Sequence, residues 1–174
     1  EMCIRDSRQA RLSDPLLTFD IFRSRIFSGG ALTAGGAMFC LAGLELLSTQ
    51  KLQLVDALSP LNAGLIISAM ALSAIPTSIL GGATLHHVGF LPLISGGFLF
   101  MAAGMALVVW TGGTMLPLLV CGLVLTGLGA GLAMSVSSTA IINAAPPHRA
   151  GMASGVEAVS YEFGTLLSLI HISE

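Results

Sequence analysis

The sequence predicts an all-α integral membrane protein, a helical bundle with about five transmembrane helices. Of its 174 residues, 54% are hydrophobic and only 9% are charged, and the mean hydropathy is +0.89. A soluble domain carries about 25% charged residues, so this chain has too few polar groups to cover a globule. It also contains apolar stretches of the length that a membrane-crossing helix needs, about 20 residues.

The predicted spans are separated by segments rich in glycine, proline or charge, which mark turns. Glycines in the first span permit close helix packing, and Pro60 suits the first turn of the second span. Pro76 lies inside that span, where a proline removes a backbone hydrogen bond and predicts a kink. The expected spans are residues 27–49, 60–85, 90–110, 115–144 and 151–168.

The two ends of the chain lie outside these spans. Residues 8–26 mix arginine, aspartate and apolar side chains, and they predict a cytoplasmic linker, either an ordinary connector or a helix on the membrane surface. Residues 1–7 and 169–174 have the character of sequence foreign to the gene. We therefore expect this chain to be a fragment of a longer protein.

Basic residues predict the orientation of the spans, because cytoplasmic loops are enriched in lysine and arginine. With the amino end inside the cell, only Lys51 remains outside as a basic residue. The sequence thus predicts a multi-pass protein of the inner (cytoplasmic) membrane whose amino end is cytoplasmic. The residues assigned to the cytoplasm are Arg8, Arg11, Arg23, Arg25, His86, His87, His148 and Arg149.

Two carboxylates interrupt the fifth predicted span. At ~1.5 Å per residue, Glu157 lies ~9 Å and Glu162 ~16 Å from its start, which puts Glu162 near the middle of a core ~30 Å thick. A buried acid costs on the order of 2.5–3.5 kcal/mol there, and it marks a wet cavity, a proton or a cation. At ~100° per residue the two acids point about 140° apart, and Glu157 shares its face with Ser154 and Tyr161.

We expect Glu162, assisted by Glu157, to exchange protons for a cation. A carboxyl group held away from water favours its protonated form. The predicted spans contain no lysine or arginine that would serve as a fixed partner. One acid would then face the transport path while the other serves helix packing.

Other classes of site find little support in the sequence. His86 and His87 lack a third ligand at a suitable spacing, and the three cysteines lack the spacing of a zinc site, so we expect no metal. Motifs of hydrolases and nucleotide-binding enzymes are missing, and we expect neither an enzyme nor a cofactor. The basic residues are too few and too scattered to bind nucleic acid.

Three stretches of the sequence carry a family resemblance. They are DPLLTFDIFRSRIFSG, AGLELLSTQKLQLVDALSPLNAGL and GLGAGLAMSVSSTAIINAAPPHRAGMASGVEAVSYEFGTLL. Together they resemble the major facilitator superfamily, and more narrowly its fourteen-span drug/proton antiporters of the kind that expel methyl viologen and quaternary ammonium biocides. The similarity covers about residues 12 to 168 and corresponds to spans nine to thirteen of that family.

The resemblance implies proton-coupled efflux of lipophilic cationic drugs or biocides across the cytoplasmic membrane. Its implied partners are the lipid bilayer, protons, a small cationic substrate and the missing amino-terminal half of the same transporter. It also implies that Glu45 lies beside the central cavity and recognises the cation, although a carboxylate at the membrane interface explains Glu45 as well. Tyr161 and Phe163 are the aromatic residues nearest to the deep acids, and aromatic faces bind quaternary ammonium groups.

One loop departs from the pattern of the superfamily. The usual Asp–Arg pair between paired spans is replaced here by GGATLHHVG, in which His86 and His87 take the charged positions. A conformational latch at this loop, with Arg149 in the other cytoplasmic loop, would depend on pH. Two alternatives remain open: a major-facilitator transporter of a metabolite, and an integral membrane enzyme that uses the histidines and the acids.

Overall fold

The computed structural model describes residues 22–112 and 115–173. The predicted tail 1–7 and most of the predicted linker 8–26 lie outside the described residues. A π-helical turn, Lys51–Val55, extends the first helix, and a 3-10 turn, Pro147–Arg149, precedes the last. The all-α fold class is confirmed by five α-helices: α1 (Arg25–Gln50), α2 (Pro60–Val88), α3 (Phe90–Trp110), α4 (Leu116–Ala144) and α5 (Ala150–Ser173).

Local sequence explains where these helices begin and end. The hydroxyl groups of Ser24 and Ser59 accept hydrogen bonds from backbone N–H groups in the first turns of α1 and α2, as N-cap residues do. Pro60 occupies the first turn of α2. Gly89 separates α2 from α3 with a φ of 86°, a conformation that glycine adopts without steric cost. Helix α2 continues through Pro76.

Four segments in the described part of the chain are long and apolar enough to cross a membrane. They are Arg25–Val55, Pro60–Val88, Phe90–Trp110 and Leu116–Ala144. Helix α5 has 24 residues, which is long enough, but Glu157, Glu162 and several hydroxyl-bearing residues lower its hydropathy. Its membrane span, predicted for residues 151–168, therefore stays a prediction. The helix also continues through residues 169–173, the segment expected to be foreign.

Helix α4 is the centre of the bundle, and half of its most apolar stretch is buried. Its Gly127 and Gly131 lie against the backbone of Met70 and Ala74 in α2, in the same order along both helices. These two helices therefore run parallel. Helix α3 packs on another side of α4 in the opposite direction: Gly97 lies against Gly129, and Gly104 lies against Gly122.

Helix α1 joins the centre of the bundle to α5. It runs antiparallel to α4, since Gly30 lies near Ser137 while Leu44 packs with Leu119. It runs parallel to α5, with Gly35 against Ser160 and Gly43 against Ser168. Successive helices therefore alternate in direction, as connected membrane spans must.

This alternation collects most of the described basic residues at one end of the bundle. Arg25 begins α1, His86 and His87 end α2, and Arg149 lies in the turn before α5. Lys51 lies at the opposite end, where its Nζ is 2.7 Å from a carboxylate oxygen of Asp56. The charge asymmetry predicted along the chain thus corresponds to two ends of the folded bundle.

Candidate proton and cation sites

Glu157 is buried between three helices, although it carries a carboxylate. It lies in the second turn of α5 and is 9% exposed. The hydroxyl group of Tyr161, one turn further along, donates a hydrogen bond of 2.8 Å to its Oε1. The hydroxyl of the fully buried Ser137, in α4, also interacts with the Tyr161 side chain. The acid is thus linked to the central helix through a tyrosine.

The tyrosine that bonds Glu157 lies beside apolar residues. Tyr161 packs beside a buried cluster contributed by α1, α4 and α5, which includes Phe27, Ala34 and Ile141. Glu157 takes part in no ion pair within residues 22–112 and 115–173. Ser154, expected on the same face, instead donates its hydroxyl to the carbonyl of Ala150. Among the described residues, the Tyr161 hydroxyl is therefore the hydrogen-bond partner of this buried carboxylate.

Glu162 lies on the other side of α5 and is exposed on this chain. No ion pair or side-chain hydrogen bond joins it to another described residue. The helical geometry that separates the two acids by about 140° thus gives them different surroundings. Depth along the sequence favoured Glu162 as the proton carrier, whereas burial favours Glu157.

Glu45 is also exposed, and it borders two adjoining cavities beside α1. One has a volume of about 350 Å³ and lies between α1 and α2. The other, about 250 Å³, reaches across α1, α2 and α4 to Thr165 of α5. The carboxylate is thus accessible from a space that a small molecule can enter.

The predicted aromatic partners of Glu45 lie elsewhere. Tyr161 is directed towards Glu157, and Phe163 borders a separate groove of about 610 Å³ between α1 and α5. Neither aromatic residue lines the two cavities beside Glu45. The structure therefore brings Tyr161 to one of the acids but does not assemble the predicted group of Glu45, Tyr161 and Phe163.

Comparison with known proteins identifies the family. The sequence profile of the Major Facilitator Superfamily matches residues 5–169, which include every described helix but the last few residues of α5. The chain belongs to this superfamily. Its fold is accordingly that of a transporter family, and its apolar helices are those of a multi-pass membrane protein.

Three relatives illustrate the similarity of this superfamily member to efflux proteins. The methyl viologen resistance protein SmvA of Salmonella typhimurium is 30% identical over 162 residues, which cover 92% of this chain and 33% of SmvA. The multidrug resistance protein Stp of Mycobacterium tuberculosis is 28% identical over 91% of this chain and 30% of its own length. The multidrug efflux pump LfrA of Mycolicibacterium smegmatis is 29% identical, with 92% and 32% covered. This chain thus spans about a third of the length of these relatives.

The histidine loop of this superfamily member lies at the basic end of the bundle. His86 and His87 are exposed in the last turn of α2, and Arg149 lies at the same end. In the described part of the chain, α2 and α5 do not pack against each other, so the histidines are not neighbours of the acids. No group of three or more potential metal ligands occurs among the described residues.

The sequence pattern missed several residues that the fold brings to these sites. Ser137 is one of many hydroxyl-bearing residues in α4, and nothing in its spacing indicates that it meets Tyr161. Met38, Met70 and Met134 come from three separate helices and border the cavity of about 250 Å³ beside Glu45, and nothing in their spacing indicates that they meet. The sequence did indicate that Thr165 lies near Tyr161, because it follows Tyr161 by four positions, about one helical turn. Its hydroxyl donates to the Tyr161 carbonyl at 3.0 Å.

Proposed function

We propose that this chain is part of the carboxy-terminal half of a proton-coupled exporter of lipophilic cationic drugs or biocides. The observation that carries the proposal is the buried carboxylate of Glu157, which is hydrogen-bonded by Tyr161. Glu157 has no ion pair within the described residues. The names of SmvA, Stp and LfrA, which refer to drug resistance and efflux, support the direction of transport.

In this proposal Glu157 binds the proton. The protonated acid is neutral and fits the apolar surroundings, while the ionised acid needs the Tyr161 hydroxyl and access to water or a cation. Tyr161 also interacts with Ser137 of α4, so in this proposal the proton binds close to the contact between α4 and α5. Glu162, exposed on the opposite face of α5, has a secondary role in attracting protons or cargo.

Glu45 is the proposed cation-binding acid. Its carboxylate borders two cavities and is separate from the Glu157 environment, so cargo and proton use different acids. The histidine loop and Arg149 form the cytoplasmic end of the bundle under the positive-inside rule. Transporters of this fold bind cargo between two halves that rock against each other. For this reason we expect the chain alone to be unable to transport.

The experiment uses the full-length transporter in lipid vesicles with an imposed pH gradient and methyl viologen as cargo. The wild type should export the cation and move protons in the opposite direction. Glu157→Gln should lower proton-driven export at least about tenfold, the equivalent of ~1.4 kcal/mol. Glu162→Gln should have the smaller effect. Asp56→Asn, an acid in an exposed loop, serves as the control and should behave as the wild type does.

The outcomes separate the alternatives. Normal coupling in Glu157→Gln would remove this acid from the mechanism. Movement of a polar anion instead of the cation would support a transporter of a metabolite with the same fold. Turnover of a substrate without transport, lost on replacing His86 and His87, would support the membrane enzyme.

A further inference from the structure

Glu162 is exposed on this chain, although it lies at the depth of the central part of α1. Gly35 of α1 lies against Ser160 and Gly164 of α5, which are the residues two positions before and after Glu162. Gly35 follows Arg25, the first residue of α1, by a distance of ~15 Å along the helix. That is about half the thickness of a hydrocarbon core of ~30 Å. The contact therefore puts the carboxylate level with the middle of a helix that is long and apolar enough to cross a membrane.

A carboxylate at this depth needs a partner. Ionisable side chains inside a membrane face the interior of a helical bundle or a water-filled cavity, and they pair with another polar group. Within residues 22–112 and 115–173, no ion pair or side-chain hydrogen bond involves Glu162. The lysine of the described segment lies at the outer end of the bundle, where it pairs with Asp56. A partner for Glu162 is thus required from outside the described residues.

The side of α5 that carries Glu162 is made of small residues. Gly151, Gly155 and Ala158 are exposed and lie within about 40° of Glu162 around the helix, at ~100° per residue. No neighbouring group lies within 4 Å of the position that a β-carbon would take at either glycine. By contrast, the side of α3 that faces away from the bundle carries bulky apolar residues, including Leu91, Leu99, Val109 and Trp110. Small residues let two membrane helices approach closely, so this side of α5 fits another helix better than it fits lipid.

We propose that this face of α5 packs against a membrane helix from the remainder of the same transporter, and that this helix donates a hydrogen bond to Glu162. The inference rests on the part of the proposed function that makes this chain one portion of a longer transporter, and it does not require proton coupling. The chain covers 33% of SmvA and 30% of Stp, so proteins of this length contain further segments that can supply the helix. An ionised carboxylate only accepts hydrogen bonds, and its partner is therefore a hydroxyl, an amide or a basic group.

The two acids of α5 then have different tasks. Glu157 is buried against the helices of this chain and is bonded by Tyr161, whereas Glu162 joins α5 to the remainder of the transporter. Because both acids belong to one helix, α5 links the proposed proton site to this outer contact. The secondary role of Glu162 in attracting protons or cargo is available only when the contact opens.

The first experiment identifies what covers α5 in the full-length transporter. A photoreactive benzophenone amino acid replaces Val159, which lies at the edge of this face and is 67% exposed on this chain. Irradiation in native membranes should join position 159 to a peptide of the same polypeptide outside residues 22–173, identified by mass spectrometry. The matched control carries the same group in place of Leu99 of α3, which is 72% exposed, and should give lipid adducts. Lipid adducts at position 159, cross-links within residues 22–173 or cross-links between two copies of the transporter would overturn the proposal.

The second experiment tests the hydrogen bond to Glu162 and needs no transport. Glu162→Leu would stabilise a position that faces lipid, but it destabilises a position that is bonded to a donor. We expect it to lower the thermal unfolding midpoint of the full-length transporter by about 2–4 °C. Glu162→Gln keeps an accepting oxygen and should lower the midpoint less. Ser95→Leu is the control, because Ser95 is exposed on α3 and its hydroxyl bonds only within that helix; it should not lower the midpoint.

The results distinguish this contact from the export function. A midpoint that Glu162→Leu leaves unchanged or raises would refute the contact, even in a transporter whose export is proton-coupled. A lower midpoint in a transporter that exports without a pH gradient would support the contact and refute proton coupling alone.

Discussion

The seam between α2 and α4 and the seam between α1 and α5 are built on different principles. In the first, glycines of α4 bring the two backbones close together, and serines bond across the interface. Ser73 donates to the Val124 carbonyl at 3.1 Å, and Ser135 donates to the Ser78 carbonyl at 2.8 Å. No charged residue lies within the helical stretches of this seam before the two histidines at its end. It has the features of a fixed structural contact.

The seam between α1 and α5 is less completely closed. Gly35 and Gly164 approach each other closely, but grooves of about 610 and 320 Å³ lie along it. It contains the buried Glu157, and the buried hydroxyl of Ser48 has no hydrogen-bond partner in the described part of the chain. Close packing is thus concentrated around α4, whereas titratable and incompletely bonded groups lie around α1 and α5.

The largest expected effect comes from breaking the first seam. A side chain at Gly131 would collide with the Ala74 carbonyl and the Thr77 hydroxyl, so Gly131→Ala should lower the free energy of unfolding by about 2 kcal/mol. Gly29→Ala is the control, because the space beside Gly29 is open; it should stabilise α1 by up to about 1 kcal/mol. Denaturant unfolding of the full-length transporter in detergent measures both. Equal stability of the two variants would contradict the assignment of tight packing to α4.

The next effect tests the acid in the second seam. The Tyr161 hydroxyl donates to the carboxyl group of the buried Glu157. Tyr161→Phe removes this hydrogen bond, which is worth about 1.5 kcal/mol, so the free energy of unfolding should fall by about that amount. Denaturant unfolding of the full-length transporter in detergent measures the loss. An unchanged free energy of unfolding would mean that the tyrosine does not stabilise the acid in the folded bundle.

A smaller gain is expected at Ser48. Removing a buried hydroxyl that has no partner takes away a desolvation cost, and Ser48→Ala should raise the free energy of unfolding by about 1 kcal/mol. Ser95→Ala, at an exposed position where the hydroxyl bonds only within its own helix, should change it little. Thermal unfolding compares the two variants. Destabilisation by Ser48→Ala would mean that this hydroxyl has a partner in the complete transporter.

The smallest effect is expected at Ser135, one of the two serines that bond across the first seam. Ser135→Ala removes the hydrogen bond to the Ser78 carbonyl, and such interhelical bonds contribute about 0.6 kcal/mol in membrane proteins. The free energy of unfolding should therefore fall by that amount, opposite in sign to the effect at Ser48. If Ser48→Ala and Ser135→Ala both raised the free energy of unfolding, the hydroxyl groups of the two seams would not differ in their bonding as described.

The sequence by itself determined the class of fold and the order of the helices. Scarcity of charge forces the apolar stretches into helices, because only internal hydrogen bonds satisfy the backbone in a bilayer. Pro60 and Gly89 mark helix boundaries through local sterics that need no tertiary contact. Residue order also fixed the angular separation of Glu157 and Glu162, since that follows from helix geometry alone.

Only the tertiary structure decided what each polar side chain meets. Depth along α5 does not reveal that Glu157 faces α1 and α4 while Glu162 faces outward, because all five helices are apolar around much of their circumference and periodicity hardly distinguishes their faces. For the same reason the sequence does not reveal that Tyr161 contacts Ser137. Nor does it reveal that Met38, Met70 and Met134 border one cavity beside Glu45. Which side chains become neighbours depends on which glycines allow two helices to approach closely, and only the packing of the whole bundle determines that.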